Sequence, residues 1–186
     1  MTLIVKNMVC PRCIAAVERI FERMRIPVRS VVLGEAVVDG ELSAADRACL
    51  AARLSEAGFE LLEDRRSQSI EAVKCALIER VSGPLPLPEG RLSDYLTRRL
   101  HRDYNYLSTL FSETYGRTIE HYYILLKIER AKELLVYGES TLAEIAFLLG
   151  YSSTAHLSAQ FKRMTGLTPS AYRRSPVRPR RSLDDL

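Results

Sequence analysis

Residues 139–172 read ESTLAEIAFLLGYSSTAHLSAQFKRMTGLTPSAY, and the rest of the chain is organised around them. Leu142, Ile145, Ala146 and Leu149 recur at the i, i+3, i+4, i+7 spacing of one helix face. Thr141 precedes that run with Glu144 three residues on, the pattern of a capping box. Gly150 can take the positive φ that ends a helix. A second amphipathic segment follows, with Leu157, Phe161 and Met164 as its apolar stripe. Its opposite face carries Thr154, Ala155, His156, Ser158 and Ala159, and Gly166 to Pro169 stop it. Two short helices around a glycine turn form a helix-turn-helix. Small polar side chains let the second helix lie deep in a DNA major groove and reach base edges. An ordinary helical hairpin in an all-α domain has the same periodicity, so spacing alone leaves both readings open.

The residues themselves add a resemblance. The segments IERAKELL, LAEIAFLLGYSS and FKRMTGLTPSAYRR, spread over roughly residues 90–174, resemble the DNA-binding domain of the AraC/XylS family of transcription regulators. That likeness implies base-reading positions at Asn105, Ser108 and Thr109 in a first unit and at Thr154, Ala155, His156, Ser158 and Ala159 in a second. Many relatives have arginine where this chain has Thr109 and Ala159. Each lost guanidinium removes roughly 1–3 kcal/mol of discrimination at a guanine. Asn105 and His156 can still hydrogen-bond to bases, although a partly buried, purely helical role for His156 fits as well. Lys162, Arg163, Arg117 and Lys127 are candidates for phosphate contact.

The internal repeat supports a pair of such units. Leu92, Leu96 and Leu100, then Tyr106, Leu107, Leu110 and Phe111, followed by Gly116, repeat the plan weakly (YLSTLF against HLSAQF). Between the units, residues 119–137 predict one long helix of about 28 Å at 1.5 Å per residue. That approaches the roughly 34 Å between successive major grooves on one DNA face. One chain can thus place two recognition helices in neighbouring grooves, as the resemblance also implies.

Charge is uneven in the same sense. Residues 1–64 carry 8 basic and 10 acidic side chains and residues 65–186 carry 19 and 13, so −2 and +6 make up the net charge of +4. Only the second part suits a nucleic-acid partner. No apolar run is long enough to span a bilayer, and the N-terminus lacks a signal-peptide pattern, which together with four cysteines predicts a reducing, cytoplasmic setting. In such a setting a cysteine pair binds metal or does redox work.

The first 64 residues predict a separate domain. Residues 2–8 read as a strand, and Cys10-Pro11-Arg12-Cys13 opens a helix with Ile14, Val17, Ile20, Phe21 and Met24 on its apolar side. Two short strands surround Gly34, Ser43 caps a second helix, and residues 59–62 form a last strand. The order βαββαβ is that of a ferredoxin-like sandwich. With Met8-Val9-Cys10-Pro11-Arg12-Cys13 in its first loop, the stretch over residues 2–63 resembles the heavy-metal-associated domain of copper chaperones and metal-transporting ATPases. Asn7 stands where that family usually has glycine.

Two cysteines three apart at a helix start can aim both sulfurs at one point, and the helix N-terminus favours thiolate. Soft thiolates select Cu(I), with Zn(II) or another thiophilic ion as competitor. Two ligands do not close a tetrahedral zinc site. A thioredoxin-like redox pair and a purely structural role remain open for Cys10 and Cys13. Cys49, among alanines, is expected as a small buried hydrophobe, and Cys75 as a residue beside the apolar seam of a linker helix over residues 65–81. A role for Cys75 as third metal ligand is the minor reading. His101 and His121 have no ligand-like spacing to any cysteine and are expected to be structural.

The expected organisation is an α+β ferredoxin-like domain (residues 1–64), a helical linker with a stiff proline-rich spacer at 83–90 (65–90), an all-α double helix-turn-helix domain (91–174) and a disordered basic tail (175–186). No nucleophile–base pair or glycine-rich phosphate loop points to an enzyme. The expected function is a metal-responsive transcription regulator acting on promoter DNA, with RNA polymerase a candidate partner and a homodimer a candidate assembly. A thiol redox switch and a partner-docking role for the first module are the alternatives.

Overall fold

The computed structural model describes residues 1–175 and Leu183. The tail expected over residues 175–186 therefore lies outside the described residues, apart from Ser175 and Leu183. The chain divides into two compact units, Met1–Cys75 and Ala76–Leu186. The division falls within a helix rather than at residue 64.

The first unit runs β1 (Thr2–Lys6), α1 (Pro11–Arg23), β2 (Val28–Val32), β3 (Glu35–Val38), α2 (Ala44–Glu56) and β4 (Glu60–Leu62). The four strands form one sheet in the order β2-β3-β1-β4, and every neighbouring pair is antiparallel. Alternation along β1 buries Leu3 and Val5. They meet Val17 and Phe21 of α1 and Leu50 and Leu54 of α2 in one core. The Ser43 hydroxyl accepts from the Asp46 N–H and caps α2.

Helix α3 (Arg65–Ser82) starts in this unit. The Asp64 carboxylate accepts from the N–H groups of Arg66 and Ser67 at 3.0 and 2.9 Å and so caps it. Hydrogen bonds from Ser67 hold that carboxyl below its ordinary pKa. The buried Glu71 carboxylate accepts from the Asn7 N–H at 3.2 Å, at the base of the loop leading to Cys10. Burial pushes the Glu71 pKa up, against the pull of Lys74. Cys75 is buried below Gly34, whose φ is +76°; a Cβ added there would lie 2.5 Å from the Cys75 Sγ. These contacts explain why the first unit extends to Cys75.

The expected positions of two cysteines are thereby reversed. Cys49 is exposed, because α2 turns Leu50 and Leu54 inward and leaves Cys49 on its outer side. Cys75 is enclosed instead, because glycine at position 34 leaves room for its sulfur.

The second unit holds the end of α3 and then α4 (Leu92–Leu100), α5 (Tyr104–Tyr115), α6 (Ile119–Tyr137), α7 (Leu142–Leu148), α8 (Thr154–Thr165) and α9 (Pro169–Arg174). Side-chain caps at Asp103, Thr118, Thr141, Ser153 and Thr168 start five of these helices. At Thr141 the box with Glu144 is complete in both directions. Ile128, Ala131 and Leu135 of α6 pack with Ile145, Leu149, Leu157, Phe161 and Tyr172 in the core. The stretch expected as a stiff spacer joins this core: Leu87 is buried and its N–H donates to the Leu148 carbonyl at 2.8 Å. No described helix is long and apolar enough to cross a membrane.

Candidate functional site

Two helix pairs, α4–α5 and α7–α8, flank the 19-residue α6. Their second helices correspond at a constant offset of 50 residues: caps Asp103 and Ser153, buried Leu107 and Leu157, buried Phe111 and Phe161. The turns differ in how they bend. Gly150 takes φ +63° in the second, whereas His101 supplies the left-handed residue in the first, at φ +52°. His101 thus has a backbone role.

On α8 the side chains of Thr154, Ala155, His156 and Ala159 are exposed and Ser158 is half-buried. On α5 Asn105 and Thr109 are exposed and Ser108 is half-buried. All eight expected base-reading positions therefore lie on outward faces of two equivalent helices. The Ser153 hydroxyl accepts from the His156 N–H, which fixes the first turn of α8. His156 is held at its ring by Ser152, with Oγ and Nδ1 3.1 Å apart. Tyr106, 46% exposed, stands at the position on α5 equivalent to His156. Reading Tyr106 as part of an apolar stripe missed it, although the 50-residue repeat could have pointed to it.

The phosphate candidates separate. Lys162 and Arg163 are exposed in the last turn of α8. Arg163 and Arg117 line one cleft with Thr118 and His121 at the start of α6. Lys127 is elsewhere: its ammonium lies 3.9 Å from the centroid of the Tyr151 ring, in a cavity that Arg80 also lines.

In the first unit Cys10 is the N-cap of α1 and Pro11 occupies its first turn. The Cys10 and Cys13 sulfurs are 3.4 Å apart. Burial opposes ionisation of Cys10, but the Cys13 N–H, the Cys13 thiol and neighbouring Arg12 outweigh it and bring the pKa down. Cys13 is pushed up, by burial first and by its hydrogen bond with Cys10. Of the two, Cys10 is therefore the thiol that ionises first. Among the described residues no group of three or more His, Cys, Asp or Glu is placed to hold a metal ion.

Residues 96–175 match the Helix-turn-helix domain family. An AraC-like transcription regulator of Streptomyces lividans is 40% identical over 73 residues, 39% of this chain and 24% of its own length. The transcriptional activator RhaR of Pectobacterium carotovorum is 37% identical over 67 residues, 36% of this chain and 24% of its own. The chain thus spans about a quarter of the length of these relatives. Among solved structures, the C-terminal domain of AraT, a response regulator from Geobacillus stearothermophilus, superposes with a TM-score of 0.51 at 25% identity, covering 60% of this chain and 88% of that one. Residues 96–175 thus match a helix-turn-helix domain and are similar to that part of AraC-type transcription regulators.

Proposed function

We propose that the protein is a transcription regulator that binds promoter DNA through α5 and α8. The observation that carries this reading is the pair of equivalent helices with small polar outer faces, held at either side of α6. Their side chains are short enough for close groove approach, and Asn105 and His156 carry the base-directed hydrogen-bonding groups. Lys162, Arg163 and Arg117 neutralise phosphates and set the register. RNA polymerase contact and a homodimer belong to the same proposal.

The first unit is proposed to be a ferredoxin-like, heavy-metal-associated sandwich that makes DNA affinity respond to a thiophilic metal. Its strand order and the position of Cys10 and Cys13 at the start of α1 support this. The donor set fits a soft ion, which the thiolates of Cys10 and Cys13 would hold, their sulfurs lying 3.4 Å apart. Two thiolates without a third described ligand favour Cu(I) over tetrahedral Zn(II). Held by Cys10 and Cys13, such an ion would supply a fixed positive charge at the start of α1.

A second reading is favoured by the same short sulfur–sulfur distance. Cys10 as thiolate would attack a low-molecular-weight disulfide and release one thiolate; Cys13 would then displace the other and close an intramolecular disulfide.

One experiment separates these readings. Affinity for the gene's own upstream DNA is measured at one fixed salt with Cu(I)-loaded, Zn(II)-loaded, chelated and oxidised protein. A roughly tenfold change on metal loading, about 1.4 kcal/mol of coupling, supports a metal-responsive regulator. A response confined to oxidation supports the redox switch, and a metal response that survives replacement of both Cys10 and Cys13 by serine rejects the thiol site. Failure to bind DNA in every state rejects the regulator reading itself.

A further inference from the structure

One cavity of the second unit belongs to neither helix face nor thiol pair. It measures about 430 Å³ and is bounded by Arg80, Leu87, Tyr123, Lys127, Leu149 and Tyr151. Small-molecule sites typically span about 300–1,000 Å³, so the volume suits a small organic ligand.

Two of its polar groups, the Lys127 ammonium and the Tyr151 hydroxyl, have no hydrogen-bond partner among the described residues. Among the described residues the Lys127 ammonium is held by aromatic rings, 3.9 Å from the centroid of Tyr151 and 5.7 Å from that of Tyr123. Arg80 lies 4.5 Å over the Tyr95 ring and donates to the Tyr123 hydroxyl and the Pro88 carbonyl. Among the described residues neither cation makes an ion pair. Tyr151 is 7% exposed, and its hydroxyl is buried with no hydrogen-bond partner among the described residues. A half-buried ammonium without an acceptor and a buried orphan hydroxyl are costly unless an acceptor reaches them. Burial first, and Arg80 second, pull the Lys127 pKa down to about 8. An anion between the two cations would reverse that penalty.

The charge count selects the anion. Arg80 and Lys127 contribute two positive charges and Glu89, which also lines the cavity, one negative. The net value of +1 matches a monoanion better than a phosphoryl dianion. A carboxylate presents two oxygens with about four lone-pair sites, enough for an ammonium, a guanidinium N–H and a phenol. A duplex phosphate is a poor occupant, because Arg80 is buried and Lys127 half-buried, out of reach of a rigid rod.

We propose that this cavity binds a small organic carboxylate, with Lys127 and Arg80 pairing with the carboxylate, the Tyr151 hydroxyl donating to it, and Leu87 and Leu149 covering the apolar body. The occupied site stiffens Tyr151, whose ring meets that of His156 edge to face at 5.2 Å. Binding therefore orders the start of α8 and alters DNA affinity. That effect rests on α8 as a recognition helix; the binding itself does not.

The test uses the full chain and isothermal titration at neutral pH with acetate, butyrate, octanoate and phenylacetate. Phenyl phosphate and uncharged 2-phenylethanol are run beside them. At least one carboxylate is expected to bind saturably at one per chain, with no heat from 2-phenylethanol. Lys127→Met should weaken it about tenfold or more, and Tyr151→Phe, which keeps the ring beneath Lys127, several-fold. Circular dichroism confirms that each variant is folded. Absence of saturable binding by any carboxylate at millimolar concentration overturns the proposal. So does tighter binding of phenyl phosphate, or a folded Lys127→Met with unchanged carboxylate affinity. If Lys127→Met weakens duplex DNA binding while no carboxylate binds, the cations serve nucleic acid instead and the proposal fails. DNA affinity of Tyr151→Phe without ligand, measured in parallel, keeps failure of the DNA reading distinguishable from failure of this site.

Discussion

The imidazole of His156 stands edge-on to the ring of Tyr151, with centroids 5.2 Å apart and planes at 89°. Its Nδ1 is tied to the Ser152 hydroxyl at 3.1 Å, so the ring is positioned while remaining exposed. A side chain held in place at a helix start, with its other nitrogen free to face outward, is suited to base contact. Replacing His156 by alanine is expected to weaken specific DNA binding by about 1–2 kcal/mol and to change stability by less than about 0.5 kcal/mol. Gel-shift titration at fixed salt, with urea unfolding alongside, checks both values. A large loss of stability with unchanged DNA affinity would assign His156 to the fold.

The closeness of Gly34 to Cys75 gives a second expected outcome. Gly34→Ala forces a Cβ into a left-handed residue and against a sulfur at 2.5 Å. The backbone strain costs about 1–2 kcal/mol and the overpacking about 1–3 kcal/mol. In a Cys75→Ala background the sulfur is gone and the Cys75 Cβ, 3.5 Å away, is at ordinary contact distance. Only the strain should then persist, so a double-mutant cycle by urea unfolding should show coupling of about 1 kcal/mol or more.

Lys127 makes stability depend on pH in a definite sense. Its pKa of about 8 in the fold lies below the ordinary 10.5, so between those values the unfolded chain binds more protons. Stability from this group therefore rises with pH from about 8 to 10.5, and its full penalty persists below pH 8. Lys127→Met should remove that rise and be more stable at pH 7, by on the order of 1–2 kcal/mol once the lost cation–π attraction is set against the gain. Thermal unfolding of both proteins from pH 7 to 10.5 reads the difference directly.

Thiol reactivity should follow burial and ionisation. Exposed Cys49 and low-pKa Cys10 are expected to react with iodoacetamide at neutral pH, Cys13 more slowly, and Cys75 only on unfolding. Cu(I) loading should protect Cys10 and Cys13 and leave Cys49 labelled. Peptide mass mapping distinguishes the four sites.

Much of the helix-turn-helix half is legible along the chain because its determinants are local. The Thr141–Glu144 box, the Leu157–Phe161 stripe and Gly166 after α8 act within one or two turns. The outward positions on α8 follow directly from that stripe. Cys49 and Cys75 were not legible, since an alanine-rich helix does not say which side meets a sheet and Cys75 depends on a glycine forty-one positions earlier. The Pro-Leu-Pro-Leu-Pro run signals extended backbone but not that Leu87 docks on the core.

The sequence by itself therefore determined the Thr141–Glu144 capping box, the repeated outward faces of α5 and α8 and the placement of Cys10 and Cys13 at a helix start, because spacing and backbone preference act over a few residues. The tertiary structure alone decided which cysteine is enclosed, that Leu87 is core, and that Lys127, Arg80 and Tyr151 share one cavity. Those contacts join residues tens of positions apart, and periodicity carries no information about partners at that range.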